Sequence, residues 1–235
     1  MGYQKINIIT GWITFLIALV VYTLTVEPTA SFWDCGEFIA TSYKLEVPHP
    51  PGAPFFLLMG RMFSLFAGDN VEQVAFWVNM LSVLSAAFTV LFLFWSITHL
   101  AKKMLVKAGD VLNTGQTIAV MGAGLVGGLV CTFSDSIWFS AVEAEVYAMS
   151  SFFTAFVFWA ILKWETINDE SDHNKWLILI AYMMGLSIGV HLLNLVTIPA
   201  LGLIVYFKYV EKITPKGVFL TLLTSGAIII AILIG

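Results

Sequence analysis

The chain has 235 residues, of which 59% are hydrophobic and 11% charged, with a mean hydropathy of +0.91. Soluble domains carry roughly 25% charged residues, so this balance marks an integral membrane protein. A net charge of -4 and a pI near 5.5 exclude the concentrated basic face that a nucleic-acid partner requires. Cys35 and Cys131 are too few for a disulfide framework and leave only a single bridge between them open.

Apolar runs long enough to cross a bilayer, roughly 17 to 25 residues, fall at about 6–26, 74–100, 117–133, 147–164, 176–190, 193–209 and 217–235. The fold class is therefore an all-α polytopic membrane protein with about seven transmembrane helices. The first run lacks a small-residue cleavage site and reads as an uncleaved signal anchor. At 185–199 two spans meet through Gly189 to Asn194 with little polar sequence, and one long kinked helix is the alternative there. The run ends at Gly235 without a polar flank, which predicts a single transmembrane domain over 1–235 that is the N-terminal part of something longer.

The positive-inside rule orients these spans. With the N-terminus cytoplasmic, Lys5, Lys102, Lys103, Lys107, Lys163, Lys175, Lys208, Lys212 and Lys216 lie inside, nine of the 11 basic residues, and only Lys44 and Arg61 lie outside. Nine of the 15 acids, Glu27, Asp34, Glu37, Glu46, Asp69, Glu72, Asp135, Glu143 and Glu145, fall on the external side.

The first external loop, 27–73, is long and too apolar to be freely solvated. It predicts two interfacial helices, near 34–44 and 54–66, separated by a Pro48 to Pro54 cluster that denies helix. Helical spacing puts Asp34 and Glu37 on one face, where two carboxylates at an apolar boundary can share one ligand and supply a general base. The same residues fit capping boxes, Ser31 to Asp34 and Asp34 to Glu37, so a purely structural role stays open. Ser140 with Glu143 is a third such match, which would have Glu143 start the fourth span. Glu145 lacks that excuse, and His191 and Asn194 share its membrane face.

A hard divalent ion is chemically conceivable through Asp34, Glu37, Glu143, Glu145 and His191, although no ligand spacing is diagnostic and no cofactor is required. Arg61, the one arginine, suits a bidentate phosphate contact or a side chain snorkelling from an interfacial helix. Gly124 with Gly128 and Gly185 with Gly189 have the spacing of close helix packing.

Four segments in this order, Asp34-Cys35-Gly36-Glu37-Phe38, His49-Pro50-Pro51-Gly52, Val142 to Tyr147 and Gly189 to Leu195, resemble glycosyltransferase family 117 of the GT-C superfamily. That resemblance implies a GT-C-like N-terminal module in a bacterial inner membrane, using a polyprenyl-phosphate-linked sugar and an acceptor hydroxyl on protein or glycan. It implies inversion, with Asp34 and Glu37 as catalytic residues and His49, Arg61, Glu143, Glu145, His191 and Asn194 lining the substrate site. A membrane scaffold that only docks a partner is the second reading. A transporter is the third, and it would place ionisable residues near the bilayer midplane.

Overall fold

The computed structural model describes residues 2–107, 110–167 and 169–234, and all regular structure among them is helical. In chain order the helices are α1 (Tyr3–Thr25), α2 (Cys35–Lys44), α3 (Pro54–Ser64), α4 (Val74–Leu105), α5 (Thr114–Thr132), α6 (Asp135–Ala141), α7 (Val146–Glu165), α8 (Glu170–Ile188), α9 (Ile198–Tyr209) and α10 (Pro215–Ile234). Short 3-10 turns at Leu65–Ala67, Val71–Gln73 and Leu192–Thr197 join them.

Six helical segments are long and apolar enough to cross a membrane: α1, α4 with its preceding turn, α5, α7, α9 with its preceding turn, and α10. The seventh expected span, α8, misses that composition because its first turns carry Asp172, His173, Asn174 and Lys175. It nonetheless runs beside α7 from end to end. The Trp164 and His173 rings meet at 4.5 Å at one end, and Tyr147 meets His191 at 5.5 Å at the other. The 185–199 region is two helices rather than one kinked rod. The chain breaks at Gly189, His191 is extended, and His191 Nδ1 accepts the Leu193 N–H at 3.0 Å.

The long α4 is the centre, packed against α1, α5 and α7. Lipid tails are as apolar as leucine, so helix association here rests on close packing and hydrogen bonds rather than on escape from water. The buried face of α4 is accordingly rich in small residues, including Ser82, Ser85, Ala86, Ala87 and Thr89. A Cβ at Gly124 would come within 2.6 Å of Thr98, and one at Gly128 within 2.8 Å of Thr14, so this pair lets α5 approach α4 and α1. The second pair behaves differently: Gly189 presses on Phe55, while Gly185 faces open space. Tyr22 of α1 donates to the Thr132 carbonyl at 3.0 Å, fixing α1 to the end of α5.

The first loop folds onto one end of this bundle. Its α2 and α3 match the two expected helices, and α3 opens with Pro54 in the first turn, where a missing N–H costs nothing. Cys35, Phe38, Phe56 and Leu57 bury against Val74, Val78 and Leu81 of α4 and against Val146, Met149 and Phe153 of α7. Gly60 admits Ser42, because a Cβ there would collide with it. Asn79, fully buried on α4, donates to the Glu27 carbonyl at 2.7 Å and the Thr29 carbonyl at 3.0 Å, and its Oδ1 lies 3.8 Å from Cys35 Sγ. Cys35 and Cys131 are both free thiols.

Candidate active site

The carboxylate pair of α2 is presented by an uncommon backbone entry. Trp33 adopts φ +61°, a left-handed conformation that costs a bulky residue about 1–2 kcal/mol, and Asp34 follows as N-cap. Neither member of the expected capping box closes: Asp34 makes no side-chain capping bond, and the Glu37 carboxylate turns instead toward the chain that returns from α2. That return starts at Leu45, also left-handed at φ +55°, where the Glu46 N–H closes on the Thr41 carbonyl at 3.0 Å.

The returning segment delivers His49. Its backbone N–H donates to Glu37 Oε1 at 2.7 Å, and its ring Nδ1 lies 2.8 Å from Oε2. The other ring nitrogen, Nε2, sits 4.0 Å from Asp34 Oδ2. Beyond His49, a cis Pro50-Pro51 bond leads into Gly52 at φ +78°, whose N–H returns to the His49 carbonyl at 2.9 Å. The histidine is therefore clasped by one carboxylate and aimed at the other.

Beneath this rim lie two buried acids. Glu143 and Glu145 are 2% and 6% exposed, in the turn between α6 and α7. The expected capping role of Glu143 does not materialise, because α7 begins at Val146 and the Ser140 hydroxyl bonds instead to the Ser136 carbonyl at 3.1 Å. The turn is held by Glu145 N–H on the Glu143 carbonyl at 2.9 Å and by Glu27 N–H on the Val142 carbonyl at 2.9 Å.

The electrostatics follow from these positions. Hydrogen bonding to Glu37, and then the charges of Glu37, Asp34 and Glu145, raise the His49 pKa above 6.5, while the same hydrogen bonds lower Glu37 below 4.5. Burial, reinforced by the charges of Asp34 and Glu143, pushes Glu145 up to about 7. Burial also raises Glu143, against the opposing pull of a Ser31 hydrogen bond. The imidazole thus lies between two carboxylates that favour its charged form.

Glu37→Gln tests the clasp. It removes the charge that holds the His49 proton, so the imidazole titrates at lower pH, read from the ring-proton shifts of labelled histidine. Stability follows with opposite signs at the two partners. The raised histidine contributes fully below 6.5 and loses this as pH rises through its folded value, whereas the lowered carboxylate contributes above 4.5 and loses this as pH falls. The clasp is thus at full strength between those two limits, and the variant loses that plateau.

Asp34, Glu37 and His49 each offer one ligand atom within 4.8 Å of the others, so they are the described residues best placed to hold a cation. Glu37 is already satisfied by His49, which makes the arrangement complete by hydrogen bonding alone. The conceived metal set is not brought together as a whole. His191, its pKa lowered by burial, caps the 192–197 turn and packs on Tyr147, two residues past Glu145, at 5.5 Å.

Two expected site residues lie elsewhere. Arg61 donates to the Tyr43 carbonyl at 2.8 Å and stacks on the Tyr43 ring at 5.2 Å, closing the far end of α2, roughly 15 Å along the helix from Asp34. Asn194 is 1% exposed and accepts a hydrogen bond from Thr154, while its Nδ2 has no partner among the described residues. The sequence reading missed Asn79 as the tether of the loop; a lone asparagine in a run as apolar as α4 is the signal that could have found it. Trp33 had no such signal.

The family described as "Protein O-mannosyl-transferase TMEM260 N-terminal domain" matches residues 34–214, a stretch that begins at Asp34 and takes in Glu37, His49, Glu143, Glu145 and His191. The chain belongs to this family. Among curated relatives, "Protein O-mannosyl-transferase tmem260" of Dictyostelium discoideum is 26% identical over 146 residues, covering 60% of this chain and 15% of that protein. "Protein O-mannosyl-transferase TMEM260" of Mus musculus is 27% identical over 175 residues, covering 74% and 22% respectively. The matches thus span less than a quarter of the length of either relative. No solved structure matches this chain.

Proposed function

We propose that this domain is the catalytic N-terminal module of a membrane glycosyltransferase that moves a sugar from a polyprenyl-phosphate carrier to an acceptor hydroxyl on protein, with inversion. The names of the relatives support the reaction class. The observation that carries the reading is that the Asp34 carboxylate makes no capping bond, is exposed at the bundle end, and faces a histidine hydrogen-bonded to Glu37.

In this reading the acceptor oxygen attacks the anomeric carbon, the bond from that carbon to the phosphate oxygen breaks, and the polyprenyl phosphate leaves with the electron pair. Asp34 takes the hydroxyl proton. His49 offers its Nε2–H side to the leaving phosphate, and its hydrogen bonds to Glu37 favour the charged form. Glu145, with a pKa of about 7, is partly protonated near neutral pH and so limits the negative charge beneath an anionic donor.

The carboxylate end is assigned to the outside of a bacterial inner membrane and the lysine-rich end to the cytoplasm. Against the transporter reading stands the position of the 189–191 break, level with the start of α7 at the bundle end rather than midway along it. The test is transfer by the full-length protein from a polyprenyl-phosphate sugar to a hydroxyl acceptor, with the anomeric configuration read by NMR. Product of inverted configuration is expected. Retention of configuration, or transfer only from a nucleotide sugar, sinks the proposal.

A further inference from the structure

The opposite end of the bundle holds a feature that sugar transfer does not use. A cavity of about 890 Å³ lies between the start of α1 and the ends of α4 and α7. Lys102, Lys103, Lys107 and Lys163 line it, and Glu165 is the one acid among its described lining residues, so four positive charges face one negative and the net is +3. Glu165 is committed to Lys103, with Nζ to its two oxygens at 2.5 and 2.7 Å. Lys102 and Lys163 rest on aromatic faces instead, over Tyr3 at 5.2 Å and Trp159 at 5.9 Å, which leaves their charges without a carboxylate counter-ion in the cavity.

Two buried polar atoms belong to residues that line the same space. His99 Nε2 and Asn7 Oδ1 have no hydrogen-bond partner among the described residues. Such atoms are costly to leave unpaired. Together they supply a ring nitrogen for a phosphate oxygen and an acceptor for a headgroup hydroxyl or ammonium. The wall continues as apolar surface: Ile8 lines the cavity and is 52% exposed, and Trp12, one turn along α1 and 42% exposed, packs on Trp95 at 6.2 Å. A free phosphate has no use for that track, whereas an acyl chain does.

We propose that this cavity binds the phosphate headgroup of an anionic membrane phospholipid, with Lys102 and Lys163 on the phosphate and the Ile8–Trp12 face of α1 against its chains. Basic recesses between transmembrane helices suit this chemistry, because Lys102 is half-buried over Tyr3 and the ligand is held at the same depth by its own tails.

The full-length protein in phosphatidylcholine nanodiscs, titrated with phosphatidylglycerol and followed by native mass spectrometry, reads out the site. One tightly held phosphatidylglycerol is expected, and Lys102→Gln/Lys163→Gln, which keeps the aliphatic stems, weakens it about 30-fold. Lys107→Gln alone weakens it about fivefold and serves should the double variant fail to fold. Equal retention by all variants overturns the proposal, as does equal retention of phosphatidylcholine. Displacement by millimolar inorganic phosphate also overturns it, by assigning the lysines to a soluble anion.

Discussion

Asp34→Asn is expected to lower sugar transfer by about 10²- to 10⁴-fold, the range over which a positioned general base contributes, with the melting temperature almost unchanged. Asparagine keeps the shape of the side chain and an oxygen able to cap, so it separates the two roles that the local sequence leaves open. The structure already weakens the capping role. The start of α2 is secured by the backbone, through the Phe38 N–H on the Asp34 carbonyl at 2.9 Å, and the carboxylate takes no part. What asparagine removes is a proton acceptor and the negative charge 4.0 Å from His49. The measurement is the initial rate of transfer by the full-length enzyme beside a thermal melt in the same detergent. An unchanged rate ends the catalytic assignment. A collapsed melt with a proportionate loss of rate shows that Asp34 is structural after all.

The helices were legible because bilayer thickness imposes a length on apolar runs, and each expected span has a helix at its place. Even α8, with its polar first turns, was marked by its apolar second half. The two loop helices were legible because the proline cluster between them forbids continuation. The sequence named Asp34, Glu37 and His49, which the fold brings together, but not how they are wired. Nothing local pairs Glu37 with His49, 12 residues on; that contact depends on the left-handed reversal at Leu45 and on the prolines that follow. Capping-box spacing misled at Glu37 and at Glu143, because a pattern of residue types cannot say which partner wins a carboxylate. For Glu37 the competitor is a histidine that supplies two donors, and for Glu143 it is burial in a turn before the helix begins. Arg61 shows the same limit. A single arginine on the carboxylate side suits phosphate by chemistry, yet the carbonyl end of α2 lies within its reach and takes it.

Glu145→Gln should stabilise the protein at alkaline pH and leave it active. The folded state raises this carboxyl from 4.5 to about 7 through burial and the charges of Asp34 and Glu143, so the unfolded chain releases the proton first. Between pH 4.5 and 7 the folded form therefore binds more protons, stability falls as pH rises, and the loss persists above 7. Glutamine removes that penalty, which is about 2 kcal/mol once the solvent-screened part of the charge is discounted. The gain in melting temperature is expected at pH 8 and absent below pH 4.5, where wild-type Glu145 is protonated in both states.

The same substitution imitates the protonated acid permanently, so transfer at pH 7 stays within roughly threefold of wild type. A fall in rate as Glu145 ionises above about 7 is expected of wild type and not of the variant. The joint result separates two roles for a buried acid beside Asp34. If Glu145→Gln is as inactive as Asp34→Asn at every pH, Glu145 itself moves the proton. If it is active and more stable, its burial serves to keep a second negative charge away from an anionic sugar donor.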